Sequence, residues 1–215
     1  MSRSTRQEPT GQDESFSPEP TDKILTVPNV ISMFRLVSIP VIAVLVVQNH
    51  LFAGLVLLAV SAMSDGVDGY IARRYNQVTK LGQILDPIAD RLLIFFSILA
   101  LASIGIMPWW VLAAVVLREL VLGIQVLRLA SYGYGPLPVH FVGKAGTAVL
   151  MITVPVYIVS ALGESTLFTV LHDLGDAGAI WGCVLYWVAG IIYLWQGTHV
   201  IHDEKTAGTR AGAAR

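Results

Sequence analysis

The sequence predicts an all-α membrane protein whose helices cross the bilayer several times. Hydrophobic residues make up 54% of its 215 residues and charged residues only 13%, with a mean hydropathy of +0.66. These proportions are typical of a polytopic membrane protein rather than a soluble domain. Apolar runs recur along the chain at about the length that crosses the hydrocarbon core. A short polar stretch containing several aspartates interrupts them and indicates the function.

The remaining composition excludes several function classes. The formal net charge is −1 and no basic patch interleaved with aromatic residues is present, so no nucleic-acid partner is expected. The single cysteine, Cys183, excludes an internal disulfide framework and a cysteine zinc site. Because it lies in an apolar run, it is expected to be a buried structural thiol.

Three regions are predicted along the chain. Residues 1–22 contain few large apolar side chains and are expected to form a disordered cytoplasmic tail. Residues 23–203 are expected to form one six-helix membrane domain, in which Asn29 and Ser32 are candidate caps of the first helix. Residues 204–215 are expected to be a flexible C-terminal tail.

Six apolar segments are predicted to be transmembrane helices, each about 20 residues long. The connection Gly163–Asp176 before the last of them is expected to be a loop. The segments are Val30–Gln48, Leu51–Arg73, Gly82–Ile106, Pro108–Arg128, Val142–Leu162 and Ala177–His199.

Among the connections, lysine and arginine lie in or beside alternate ones: Arg74 and Lys80 separate the second and third segments, and Arg128 and Lys144 flank the connection between the fourth and fifth. The connections around Asn49, Ile106 and Glu164 contain neither residue type. The positive-inside rule therefore places both termini and the acidic stretch on the cytoplasmic side. The expected location is the plasma membrane, with the active site facing the cytoplasm.

The first half of the acidic stretch places polar residues on one helix face. Asp65, Gly69 and Arg73 are spaced i, i+4 and i+8, and Asp68 lies three residues after Asp65. Four acids in membrane-spanning helices cost on the order of 10 kcal/mol, less what shallow depth and nearby cations save. Such a cost indicates a functional site.

The second half repeats this spacing on the next helix, at Gly82, Asp86 and Asp90. Facing helices would bring the four carboxylates together beside glycines that allow a ligand to approach closely. Clustered carboxylates repel one another unless a hard divalent cation neutralises them. The pattern therefore predicts a Mg²⁺ or Mn²⁺ site beside Arg73, suited to a phosphate or diphosphate.

The whole run, D-x2-D-G-x2-A-R-x8-G-x3-D-x3-D, resembles the signature of the CDP-alcohol phosphotransferase family. The resemblance extends over most of Leu25–Gln196. Every fixed position of the signature is present: Asp65, Asp68, Gly69, Ala72, Arg73, Gly82, Asp86 and Asp90.

The resemblance implies transfer of a phosphatidyl group from CDP-diacylglycerol to an alcohol, with release of CMP. It also implies a homodimer. Asp90 is the implied general base, although the sequence alone does not separate its role from that of Asp86, and a two-ion site would place Asp90 among the metal ligands. The implied metal ligands are Asp65, Asp68 and Asp86, and the implied donor-binding residues are Asp68, Gly69, Ala72, Arg73 and Gly82.

The acceptor is expected to be a phosphorylated alcohol, with glycerol 3-phosphate as the first choice and phosphatidylglycerol as the alternative. LTVPNVISMFRLVSIPVI, LDPIAD and GKAGT are similar to phosphatidylglycerophosphate synthases, which favours glycerol 3-phosphate. IMPWW and YGPLPVHFVGKA are similar to the actinobacterial cardiolipin-synthase branch, whose acceptor is phosphatidylglycerol. Inositol phosphate and serine rank lower.

Three cations outside the motif are candidate ligands of the acceptor phosphate. Arg35 either binds phosphate or extends to the cytoplasmic interface. Arg118 either faces the cavity or forms an intramembrane ion pair with Glu119. Lys144 opposes the dipole at the start of its helix, which favours a ligand role over an interfacial anchor.

Two other function classes are alternatives to an enzyme. A cation transporter would have carboxylates near the bilayer midplane and pseudo-symmetric halves, and the sequence shows no repeat. A non-catalytic scaffold would lack at least one residue of the signature. Gly178 and Gly182 form a GxxxG pair, for which helix packing within the chain or a dimer contact are the two interpretations.

Overall fold

The computed structural model describes residues 27–74, 80–132 and 141–213, and each of these ranges is predominantly helical, which confirms the all-α class. The predicted tail of residues 1–22 lies outside the described residues. The helices are α1 (Val27–Val47), α2 (Leu51–Arg74), α3 (Lys80–Ser103), α4 (Trp109–Ser131), α5 (Phe141–Ser160) and α6 (Thr166–Ala213).

The outer surface of these helices is apolar. Val37, Phe52 and Leu127 are 66%, 69% and 72% exposed. An apolar surface of this extent is typical of contact with lipid, and the protein is embedded in a membrane. Within the described ranges, four stretches are long and apolar enough to cross a bilayer, and Leu51–Ser64 is a shorter apolar helical stretch. The four are Asn29–Val47, Trp109–Ser131, Val142–Ser160 and Thr166–His199.

Two tight turns reverse the chain as the sequence predicts. Asn49 has a φ of 62° after α1, and Gly105 has a φ of 79° after α3. Beside them, the His50 N–H donates to the Leu45 carbonyl at 2.8 Å, and the Ile106 N–H donates to the Leu101 carbonyl at 3.0 Å. A positive φ at each turn lets the last carbonyls of the helix find donors. The next helix can therefore begin within a few residues.

The last helix begins earlier than the sequence predicts. Gly163–Asp176 is predicted to be a loop, which is confirmed for residues 163–165 and wrong from Thr166, where α6 begins. The Ser165 carbonyl accepts the N–H groups of Phe168 and Thr169 and starts the helix. One turn beyond Asp173, the Tyr157 hydroxyl donates to Asp176 at 2.5 Å and ties this part of α6 to α5. Tertiary contacts therefore stabilise a segment whose polar residues are typical of loops. The predicted boundary at residue 204 stays a prediction, although α6 continues to Ala213.

Glycines allow α5 and α6 to pack closely. A Cβ atom at Gly178 would lie 2.5 Å from the Thr153 hydroxyl, and one at Gly182 would lie 2.8 Å from a Leu150 methyl group. The GxxxG pair therefore faces α5 of the same chain, which confirms its interpretation as helix packing. Gly146 on α5 faces the backbone of α6 itself, because its Cβ would lie 2.8 Å from the backbone nitrogen of Tyr186.

Gly146→Ala is expected to destabilise the protein by about 1–3 kcal/mol, because backbone atoms of α6 cannot move aside as a side chain can. Thermal unfolding of the purified protein in detergent measures the effect. Gly123→Ala is the matched control, since nothing lies within 4 Å of that position and α4 should gain up to about 1 kcal/mol. Equal unfolding temperatures for the two variants would contradict the close packing of α5 on α6.

Candidate active site

A buried arginine connects α1 to the acidic row of α3. Arg35 is 1% exposed, and its Nη2 lies 3.2 Å from Oδ1 of Asp86. Its Nη1 lies 3.2 Å from Oδ1 of Asp90. Because the two aspartates are one turn apart on α3, a single planar guanidinium can reach both. Among the side chains that the structure describes, one positive charge therefore faces two negative charges.

Serines of α1 extend this connection to both motif helices. The Ser32 hydroxyl donates to Oδ1 of Asp86 at 3.0 Å, one turn before Arg35. The sequence suggested Asn29 and Ser32 as caps of α1. This was wrong, because the helix begins at Val27 and both residues lie inside it. Further along, the hydroxyls of Ser38 and Ser61 lie 3.1 Å apart and join α1 to α2. The first helix is thus the scaffold on which the acidic stretch is assembled.

The carboxylates are more open to their surroundings than the arginine behind them. The Asp86 side chain is 46% exposed and the Asp90 side chain 38%, whereas Arg35 is 1% exposed. The guanidinium therefore contacts the carboxylates on their buried side, and a ligand can approach them on their exposed side.

The donor chemistry of Asp86 and Asp90 fits a hard divalent cation, which prefers carboxylate oxygens. Their partial exposure leaves room for a phosphorylated substrate to complete the ligand set. Across the ranges 27–74, 80–132 and 141–213, no group of three or more His, Cys, Asp or Glu side chains converges. The predicted ligands Asp65 and Asp68 are on α2, and their side chains lie outside the described residues.

The other predicted site residues fall on three helices. Positions 69, 72 and 73 continue the helical backbone of α2, and their side chains likewise lie outside the described residues. Gly82 lies in the first turn of α3. Lys144 is exposed in the first turn of α5, within the segment GKAGT.

A second polar cluster joins α3, α4 and α6. Arg118 lies 2.6 Å from Oε1 of Glu119, and its guanidinium lies 4.0 Å from the centre of the Tyr186 ring. The Tyr186 hydroxyl donates to the same Glu119 oxygen. Arg91, directly after Asp90, lies 3.3 Å from Oε2 of Glu119. Glu119 therefore holds two arginines and a tyrosine from three helices.

Sequence reasoning missed the roles of Ser32, Arg91 and Tyr186. Ser32 lies 54 residues from Asp86, and no local spacing predicts a hydrogen bond at that separation. Arg91 directly follows the motif, and this position could have identified it as a candidate site residue. The ion pair of Arg118 with Glu119 was one of the two alternatives stated for that arginine.

Apolar outer surfaces around a buried polar cluster define this protein as a membrane-embedded helical protein with an acidic site. Residues 25–195 match the family model described as CDP-alcohol phosphatidyltransferase. The chain therefore belongs to the CDP-alcohol phosphatidyltransferase family.

Named relatives support this membership. The chain is 38% identical over 194 residues to the cardiolipin synthase (CMP-forming) of Streptomyces coelicolor, covering 87% of this chain and 89% of the relative. It is 33% identical over 171 residues to a Mycobacterium tuberculosis protein named "Probable phosphatidylglycerophosphate synthase", covering 76% and 81%. It is 42% identical over 76 residues to the CDP-diacylglycerol–glycerol-3-phosphate 3-phosphatidyltransferase of Aquifex aeolicus, covering 35% and 43%.

Family membership makes the chain a transferase of phospholipid biosynthesis. It decides against the cation-transporter alternative. The family implies CDP-diacylglycerol and an alcohol acceptor as substrates and generally uses divalent metal ions.

Proposed function

We propose that the protein transfers the phosphatidyl group of CDP-diacylglycerol to a free hydroxyl of phosphatidylglycerol, which forms cardiolipin and releases CMP. The observation that carries this choice of acceptor is the similarity to a CMP-forming cardiolipin synthase along 87% of the chain. Glycerol 3-phosphate is the acceptor that the sequence alone favours. That acceptor is the second candidate, supported by the 33% identity to the mycobacterial relative.

In the proposed reaction, the acceptor oxygen attacks the phosphorus that carries the diacylglycerol. A new phosphoester bond forms, the diphosphate bond to CMP breaks, and CMP leaves with the electron pair. Asp90 takes the proton of the attacking hydroxyl as general base. Arg35, buried behind Asp90, holds that carboxylate in place through its Nη1. Arg35 is therefore proposed to position the base rather than to bind the acceptor phosphate.

The proposed metal ligands are Asp65, Asp68 and Asp86, with Asp90 added if two ions bind. A bound Mg²⁺ or Mn²⁺ would neutralise the diphosphate and the charge that develops on CMP. Asp86 is proposed to be oriented for this role by Ser32 and Arg35.

The donor is proposed to lie against the motif face of α2. Arg73 would hold phosphate oxygens, and Asp68, Gly69, Ala72 and Gly82 would border the cytidine and diphosphate. Arg118 and Lys144 are retained as proposed contacts of the acceptor phosphate. Lys144 is exposed, whereas Arg118 is held by Glu119 and Tyr186.

The proposed topology has six transmembrane helices in the plasma membrane, with both termini and the active site on the cytoplasmic side. The alternation of lysine and arginine between connections supports it. A homodimer is proposed from the family resemblance, and chemical cross-linking in native membranes would test it.

Release of CMP from CDP-diacylglycerol by the purified full-length protein tests the proposal. Phosphatidylglycerol and glycerol 3-phosphate are compared as acceptors, with Mg²⁺ present in both reactions. Release that requires phosphatidylglycerol supports cardiolipin synthesis. Release that requires glycerol 3-phosphate overturns that acceptor in favour of the second candidate.

Removal of divalent metal is expected to abolish CMP release, because the clustered carboxylates and the diphosphate repel one another without it. The assay is repeated with excess EDTA and then with Mg²⁺ or Mn²⁺ added back. Activity should fall by more than about 100-fold and recover on addition. Undiminished release in EDTA would show that the carboxylates serve another purpose.

A further inference from the structure

A groove with a volume of about 300 Å³ lies between α3, α4 and α6. Its walls are apolar, formed by Leu92 and Phe95 of α3 and by Val115, Val116 and Leu120 of α4. Leu120 is 60% exposed on the lipid-facing surface of the bundle. The groove is therefore open sideways, toward the acyl chains of the bilayer.

The polar end of this groove carries an exposed arginine beside a glutamate. Arg91, Glu119 and Tyr186 line it, and Arg118 pairs with the same glutamate. Two guanidinium groups thus face one carboxylate. The Arg91 side chain is 66% exposed, so its guanidinium can contact a ligand while it remains near Glu119. An anionic group beside apolar walls is the complementary ligand.

The direction of the groove matches that of a lipid in one leaflet. Arg91 directly follows Asp90, so the charged end lies at the level of the acidic row. Phe95 is one turn after Arg91 on α3, and Val115 is one turn before Glu119 on the antiparallel α4. Both apolar walls therefore extend away from Asp90, toward the membrane interior.

We propose that this groove binds the lipid acceptor, with its phosphodiester at Arg91 and one acyl chain between α3 and α4. The acceptor headgroup would then lie next to Asp90, where its hydroxyl loses the proton. This inference rests on the proposed function. The donor is proposed to lie against α2, so an apolar groove lined by α3, α4 and α6 is available to a second lipid, the acceptor. A soluble acceptor such as glycerol 3-phosphate would need the charged end alone.

Photolabelling of the full-length protein tests the groove directly. Phosphatidylglycerol with a diazirine on one acyl chain is added to protein in phosphatidylcholine nanodiscs, and labelled peptides are mapped. We expect labels on the α3 and α4 walls and at least a tenfold loss of them in Val116→Trp, which fills the groove. Leu117→Trp is the matched control, because Leu117 is the next residue and is 54% exposed outside the groove.

The second test measures the steady-state kinetics of Arg91→Gln. Because the Arg91 side chain is exposed, this substitution does not disturb the packing of the helices. The KM for phosphatidylglycerol should rise at least tenfold, while the KM for CDP-diacylglycerol stays unchanged. Equal rises in both KM values, or equal labelling of Val116→Trp and Leu117→Trp, would overturn the proposal.

The two experiments distinguish an error in the proposed acceptor from an error in the proposed lipid site. If CMP is released only with glycerol 3-phosphate, the proposed acceptor is wrong. The labelling experiment then shows by itself whether the groove binds an anionic lipid. Labels on α3 and α4 that are lost in Val116→Trp establish such a site, and labels elsewhere overturn it.

Discussion

Asp90→Asn is expected to lower kcat by about 10²–10⁴-fold, the usual contribution of a general base. The amide keeps the size of the carboxyl group and an oxygen that Arg35 can donate to, so α3 should remain in place. Binding of CDP-diacylglycerol should therefore change little. Single-turnover CMP release and equilibrium binding of the donor measure the two quantities separately.

Two comparisons sharpen this test. Asp173→Asn, at an exposed position of α6, should leave kcat unchanged. Asp86→Asn should instead raise the Mg²⁺ concentration needed for half-maximal activity, because Asp86 is a proposed metal ligand. If Asp90→Asn only raises the Mg²⁺ concentration needed for half-maximal activity, Asp90 is a metal ligand and another residue is the base.

Arg35→Lys is expected to reduce activity by about 10–100-fold, the usual loss when a group that orients site ligands is replaced. The guanidinium reaches Asp86 through one nitrogen and Asp90 through the other, both at 3.2 Å. A lysine ammonium is a single point charge on a flexible stem and cannot hold both carboxylates in the same geometry. The loss should appear in kcat and in the Mg²⁺ requirement together.

Arg128→Lys is the control for this substitution, since Arg128 is exposed in the last turn of α4. Thermal unfolding of both variants separates loss of the site from loss of the fold. Activity of Arg35→Lys close to that of the unmodified protein would rule out a positioning role for Arg35.

The sequence predicted the helices well because apolar length determines them. Five of the six predicted segments begin within about three residues of the first residue of an observed helix. Turns such as those at Asn49 and Gly105 determine where the helices end. The predicted start of α6 was wrong because polar side chains such as those of His172, Asp173 and Asp176 are more typical of loops than of membrane helices. The contact of Tyr157 with Asp176 that favours the helix joins residues 19 apart in sequence.

The candidate site was predictable where its residues follow one helical spacing. Gly82, Asp86 and Asp90 are placed along α3 by that spacing alone. The connection through Arg35 was not, because it depends on how α1 packs against α3. The sequence offered Arg35 as a phosphate ligand or an interfacial residue, and only the tertiary structure shows that it lies behind the carboxylates of Asp86 and Asp90.

The length of α6 has a consequence for the membrane around the protein. Its 34-residue apolar stretch, Thr166–His199, extends roughly 51 Å, whereas the hydrocarbon core is about 30 Å thick. Close packing of α5 on α6 at Gly146 and Gly182 limits how far α6 can tilt to absorb this hydrophobic mismatch. We therefore expect the polar turns around Asp173 and Asp176 to lie in the headgroup region, beyond the hydrocarbon. A bilayer that becomes thicker would draw these turns toward the acyl chains, which makes membrane thickness itself a determinant of the stability of the bundle.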